Sequence, residues 1–208
     1  MVNPQDDELK VCHLNLPAST EDIARLELGA AVYLTGVVYT AREGVYKKVL
    51  DDGVELPIAL HGLSNVNFHC SPAAAPNEDG SYNVGAVTAT ASFRFSKWIP
   101  KWLEKTGCRI FIGKGGMPAD DYKRVLAPAG AIYLTTVGYG TGALLGRGIK
   151  RVKDVFWLDE LGIAQAMWMF EVEKFGPFIV ESDLEGNSLF AQHAAVINAG
   201  IAKLYAGL

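Results

Sequence analysis

The chain has 208 residues, 50% of them hydrophobic and 20% charged, a balance that supports one large domain with a real core. Lys and Arg number 19 and Asp and Glu 23, so the formal net charge is −4, which argues against a broad nucleic-acid or anionic-membrane surface. No apolar run approaches the roughly 20 residues of a membrane span. The N-terminus MVNPQDDELK lacks the basic-then-greasy character of a secretory leader, and three widely spaced cysteines do not suggest a disulfide framework. The expectation is a cytoplasmic protein with no nucleic-acid or membrane partner.

Residues 1–24 read as an extended lead-in with Pro4 and Pro17, in which Ser19 or Thr20 before EDIARLEL suits the N-cap of a short helix ended by Gly29. AAVYLTGVVYT (30–40) predicts a strand buried on both faces. AREGVYKKVLDDG fits a short helix or a strand end. ELPIALHGL and SNVNFHC predict two short strands about Gly62, and SPAAAPNEDGSY (71–82) predicts a surface loop. NVGAVTATASFRF predicts a strand of small residues, and SKWIPKWLEKTG a helix whose regular part Pro100 confines to one side.

CRIFIGKGG predicts a strand running into a glycine turn, with Pro118 opening the helix PADDYKRVLA. GAIYLTTVG, TGALLGRGI and KDVFWLD predict a strand, a short helix and a strand. AMWMFEVEKF and PFIVESD predict the last two strands, followed by the turn DLEGNS. From there Phe190, Ala194, Ile197, Ile201, Leu204 and Leu208 recur at steps of four and three, a helix stripe expected to pack on the same domain.

The sharpest local motif is FIGKGGMPADD (111–121). A strand end, two glycines, a mobile Lys114 and the free amides of a helix start together favour a bound carboxylate or phosphate. The spacing is not that of a P-loop, since Gly115 stands where Ser or Thr should hold magnesium. GYGTGA (138–143), with Asp159 about 20 residues on, fits a dinucleotide fingerprint loosely and keeps an NAD(P)-binding oxidoreductase as an alternative. Cys12–His13 and His69–Cys70 are strand neighbours that point to opposite faces, so neither pair closes on one metal ion. Arg42, Arg94 and Lys114 each fall at the end of a predicted strand. Three such cations make a shared anion pocket more plausible than any one alone.

At this point LELGAAVYLTGVVYTAREGVYKKVL, FHCSP, TATASFR, IFIGKGGM, DELGIAQAMWMFEVEKFGPFIV and DLEGNSLF, in this order, resemble the C-terminal domain of class I (iron–sulfur) fumarases and the β subunit of L(+)-tartrate dehydratase. The resemblance covers roughly residues 25–190 and leaves 191–208 as a C-terminal helix. It implies an α/β fold, a swivelling β/β/α domain with mixed sheets and flanking helices. It also implies a hydro-lyase acting on a dicarboxylic hydroxy acid such as malate or tartrate. The family's [4Fe–4S] cluster sits on the other half of the enzyme, so the resemblance implies a cluster-carrying α subunit as partner, in a hetero-oligomer such as α2β2, with no metal ligand on this chain.

Residue by residue, the resemblance gives Arg42 and Arg94 as carboxylate clamps and Thr90 as the proton-abstracting base. It makes Lys114, with Gly115 beside it, a charge-neutralising substrate contact. The family's R-D-x-x-H reads Arg42-Glu43-Gly44-Val45-Tyr46 here, which places a phenol, Tyr46, where an imidazole is expected to meet the substrate. GPTTxxRM reads Thr88-Ala89-Thr90-Ala91-Ser92-Phe93-Arg94-Phe95. These departures keep a second reading open, a non-catalytic carboxylate-binding or regulatory module on the same fold.

Overall fold

A computed structural model describes residues 9–138 and 140–206. Among these residues, nine strands occur in chain order: β1 Val11–Asn15, β2 Ala31–Tyr39, β3 Val66–Phe68, β4 Cys70–Pro76, β5 Tyr82–Ala89, β6 Ile110–Gly113, β7 Ile132–Thr136, β8 Ile149–Phe156 and β9 Met167–Ser182. The helices are α1 Thr20–Ala24, α2 Glu43–Tyr46, α3 Ile99–Thr106, α4 Ala119–Asp121, α5 Gly142–Arg147, α6 Leu158–Leu161 and α7 Leu189–Tyr205. Wider turns extend α2 through Lys47–Asp51 and α4 through Tyr122–Leu126, and a tight 3-10 stretch, Ser92–Trp98, leads into α3.

β2, β3, β6 and β7 run parallel in that spatial order. β9 pairs antiparallel with β7 on one side and with β2 on the other, so the sheet closes on itself. β1 lengthens it beside β2, and β8 lies antiparallel along the first half of β9. Alternation along each strand then separates two cores. Inward side chains such as Val32, Leu34, Ile110, Ile112, Ile132 and Leu134 fill the space that the sheet encloses. The intervening Phe111 and Tyr133, with Tyr39 and Met169, face outward onto a layer built from α2, α3 and the α4 region, where Tyr46, Trp98 and Trp102 are buried.

The described structure is therefore mixed α/β, and several elements depart from expectation. SPAAAP is no loop: it forms β4, paired with β5 from Cys70↔Ala89 to Pro76↔Tyr82. The two prolines are tolerated because the hairpin stands outside the main sheet, where unused amide positions cost nothing. ELPIALHGL forms no strand, AMWMFEVEKF and PFIVESD form one continuous β9, and part of the expected lead-in joins the sheet as β1. α1 stops at Ala24, earlier than Gly29, although Ser19, one of the two expected N-caps, does cap it, and Asp22 closes a reciprocal bond that was not expected.

TGALLGRGI does form a helix despite its glycines, and packing is the reason. A Cβ at Gly146 would lie 2.6 Å from the Gly85 carbonyl oxygen, so only glycine lets α5 rest on β5. The loose dinucleotide reading fails on topology. β8 follows α5 but does not lie parallel beside β7, so β7, α5 and β8 form no βαβ unit, and Asp159 sits exposed on α6. Tyr139 of GYGTGA lies outside the described residues, as does Leu208. Among the described residues, no helix is long and apolar enough to cross a membrane.

Trp102 is fully buried in the outer core, its indole N–H donating to Tyr39 at 3.0 Å. Trp102→Ala is expected to cost about 3–5 kcal/mol of stability, measured by urea unfolding.

Candidate functional site

Parallel strands end together, so the loops that follow β2, β3, β6 and β7 gather along one edge. Arg42 lies just beyond β2, His69 beyond β3 and Lys114 beyond β6, while Gly138 follows β7. The β4–β5 hairpin returns to the same edge and delivers Thr90. Its amide donates to the His69 carbonyl at 2.6 Å, and its own carbonyl accepts from the Lys114 amide at 3.2 Å. Thr90 thus stitches two strand ends side by side. Its side chain is only 7% exposed.

Arg42 donates from Nη1 to the Ser71 hydroxyl and, at 2.7 Å, to the Ala164 carbonyl. Its Nε is buried and has no hydrogen-bond partner. Burial pulls the guanidinium below its ordinary pKa, and the positive charge of nearby Arg94 adds to that effect. Arg94 belongs to the 3-10 stretch, not to a strand end, and is exposed, with Nε 3.4 Å from the Ala91 carbonyl. Phe93 stands exposed beside it.

Lys114 is exposed and lines a cleft of about 230 Å³ with Thr88, Thr136, Gly138, Gly140 and Thr141. The two glycine-rich motifs therefore meet at one place. Gly115 is open to solvent at its edge, with no atom within 4 Å of where a Cβ would stand. Among the described residues, neither Arg42, Arg94 nor Lys114 is ion-paired with a carboxylate.

Tyr46 is not at the surface of this site, which corrects the contact expected of it. Its ring is fully buried, stacked on Trp98 and edge-on to Trp102, because α2 turns it into the outer core. There it heads a polar chain. Asn67 is oriented by the Ala41 amide, which donates to its Oδ1 at 2.8 Å, so its Nδ2 donates to the Tyr46 oxygen at 2.6 Å. The phenol proton is then free for His69 Nε2 at 2.7 Å. This leaves the ring's one N–H on Nδ1, donated to Ser92 Oγ at 2.7 Å, and the Tyr133 hydroxyl also donates to Ser92 at 2.8 Å.

Burial drives the His69 pKa down to about 3, and Arg42 adds to that, so the imidazole is neutral at pH 7. Ser92 in turn fills the space above Gly113, where a Cβ would lie 2.0 Å from its Oγ. His69, Ser92, Ser71, Asn67 and Tyr133 were not among the candidate site residues. One signal for two of them was legible: Asn67 and His69 are spaced by two in the predicted strand SNVNFHC, and so share one face.

The cysteines do not fit an iron–sulfur cluster. No group of three or more His, Cys, Asp or Glu side chains among the described residues could hold a metal ion. Cys70 is buried in the inner core and Cys108 in the outer one, and burial pushes both thiols up, that of Cys108 to about 11.

The sequence model described as "Fumarase C-terminus" matches residues 2–193. A protein named putative L(+)-tartrate dehydratase subunit beta, from Methanocaldococcus jannaschii, is 34% identical over 175 residues, covering 83% of this chain and 87% of that one. A putative class I fumarate hydratase from Geobacillus stearothermophilus is 32% identical over 199 residues, 96% of this chain but 37% of that longer protein. The L(+)-tartrate dehydratase subunit beta of Escherichia coli is 29% identical over 188 residues, 86% of this chain and 87% of that subunit.

Two outcomes follow from this geometry. Gly113→Ala is expected to destabilise the fold by well over 1 kcal/mol, because the added methyl collides with Ser92 and Tyr133; thermal melting checks it. The second concerns acid. Unfolded His69 takes up a proton below pH 6.5 and the folded ring only near 3, so its contribution is full above 6.5 and is lost as pH falls toward 3. Urea unfolding from pH 7 to 4 should show this loss at up to about 1.4 kcal/mol per pH unit, and His69→Asn should flatten the slope by that amount.

Proposed function

Because the chain belongs to the fumarase C-terminus family, we propose that it is the β subunit of a hydro-lyase. It is the half that grips the carboxylates of a dicarboxylic hydroxy acid such as malate or tartrate. The observation that carries this reading is a set of cations without acids. Arg42, Arg94 and Lys114 stand around the Thr90 strand junction, and Arg42 keeps a buried N–H without an acceptor. A guanidinium in that condition is completed by an anion. Names of the relatives support both the reaction class and the subunit role.

Adding or removing water beside a carboxylate requires a proton to leave, or return to, the carbon next to it. Negative charge then moves onto that carboxylate, and preorganised cations lower the barrier by meeting it. Arg42 and Arg94 are the clamps, Lys114 with the Gly115 turn faces the same developing charge, and Thr90 receives the proton. A threonine hydroxyl is a weak base in water, and its enclosure between cations is what favours the ionised oxygen. The iron–sulfur cluster of the family belongs on an α subunit, since the thiols here are unsuited to it, and the working unit is a hetero-oligomer of the α2β2 kind. The swivelling β/β/α fold is part of the same reading, supported by the mixed sheet with helices on its outer face.

Co-expression with the cluster-carrying subunit, followed by a dicarboxylate hydration assay, tests it. Arg42→Ala or Arg94→Ala is expected to lower kcat/KM by about 10²–10³ with the subunits still associated. Wild-type turnover in both variants would overturn the assignment. Dicarboxylate binding without turnover in the intact assembly would favour the non-catalytic module, for which the withdrawal of Tyr46 into the core is the supporting observation.

A further inference from the structure

Only the first turn of α7 packs on the domain. Beyond that turn the helix leaves it: Ile197, Ile201 and Leu204 are 58%, 44% and 77% exposed, so the packing expected along the C-terminal stripe does not occur. That first turn meets the glycine turn of the candidate site. Gly115 and Gly116 hold φ of +75° and +72°, and a Cβ at Gly116 would stand 2.7 Å from the Tyr122 hydroxyl oxygen and 3.3 Å from the Phe190 ring. The same hydroxyl oxygen accepts from the Met117 amide at 2.7 Å. A single buried phenol thus sets the course of the chain immediately after Lys114.

Next to that phenol is a carboxylate that the proposed reaction does not use. Glu181 is fully buried near the end of β9. Tyr133 pairs with Ser182 and Leu134 with Val180, so Glu181 is the extra residue of a bulge, a device that re-aims a side chain. Its Oε1 accepts from the Ser188 hydroxyl at 2.6 Å, and that hydroxyl caps the Ala191 amide at 3.1 Å. Its Oε2 is buried and has no hydrogen-bond partner. Tyr122 has the complementary need, because an oxygen that accepts from Met117 still has its own proton to place. Burial pushes the Tyr122 phenol up, and neighbouring Glu181 adds to it; burial pushes Glu181 up as well, offset by Ser188 and by Tyr122. The two groups are side by side.

We propose that Glu181 is a positioning residue for Lys114. Its free oxygen takes the Tyr122 proton, and the phenol, held in one orientation, fixes the 115–117 turn and the lysine in front of it. A hydroxyl whose proton is unclaimed can swing its lone pairs about the C–O bond; one whose proton is claimed cannot. Because the carboxylate is carried by β9, which is bonded to β7 and β2, the turn takes its position from the sheet and not from the exposed helix. What Lys114 does rests on the hydro-lyase reading above; how its turn is held does not.

Amide exchange of the full chain tests the holding of the turn without any turnover. Glu181→Leu is expected to speed exchange at Met117 roughly tenfold while β6 and β7 stay unchanged. Tyr122→Phe should speed it at least as much, and adding Glu181→Leu to Tyr122→Phe should change nothing further. Glu181→Gln should restore protection, since its carbonyl can accept from Tyr122 while its amide donates to Ser188. Unchanged exchange in Glu181→Leu, or effects of the two substitutions that simply add, overturns the proposal. In the enzyme assembled with its cluster-carrying subunit, Glu181→Leu should lower kcat about tenfold with KM little changed, and should have no effect in a Lys114→Ala background. An equal loss with and without Lys114 marks a general structural defect and also overturns it. Wild-type kinetics in Lys114→Ala would instead count against the hydro-lyase reading, with the exchange result still deciding the part played by Glu181.

Discussion

Two backbone hydrogen bonds, one on each side of Thr90, hold the candidate site together. The main sheet can bring strand ends to a common edge, but β4 and β5 stand outside it and must be attached. The amide of Thr90 takes the last free carbonyl at the end of β3, and its carbonyl takes the first amide beyond β6. Everything else about the site depends on this seam. It encloses the threonine and sets the 3-10 stretch that carries Arg94. It also turns the base of the hairpin, through Ser71, toward Arg42.

Behind the seam lies a polar chain in which each member has its proton assigned by its neighbour. Asn67 fixes Tyr46, Tyr46 fixes His69, and His69 fixes Ser92. A buried network of this kind is acceptable only when its members are satisfied, and this one is, from Ala41 to Tyr133. Its electrical effect is to add no charge. Among the described residues, the positive charge at the edge is carried by the guanidinium groups of Arg42 and Arg94 and the ammonium group of Lys114.

The framework was legible where burial and periodicity agree. β2, β6 and β7 are apolar runs bounded by glycine, and a chain reader finds them from composition alone. The hairpin was not legible in the same way, because prolines and small residues carry turn signals whether or not a partner strand exists. β9 read as two strands because Gly176 and Pro177 interrupt the pattern, whereas the paired neighbours on both sides carry one strand through. Among the candidate site residues, Arg42, Thr90, Arg94 and Lys114 are proposed from motif and resemblance. Tyr46 was misplaced because spacing along a short helix does not say which face the helix buries. The C-terminal stripe was read correctly as a period and wrongly as packing, since a period identifies an apolar face but not its occupant.

β9 bonds to three other strands along its length, β2 and β7, between which it closes the sheet, and β8 along its first half. Such a strand cannot open by fraying from one neighbour, so its amides should be among the slowest to exchange with solvent. β2, just beyond which Arg42 lies, and β7, whose Thr136 lines the cleft, are its direct neighbours. The closed sheet is accordingly the least yielding part of the domain.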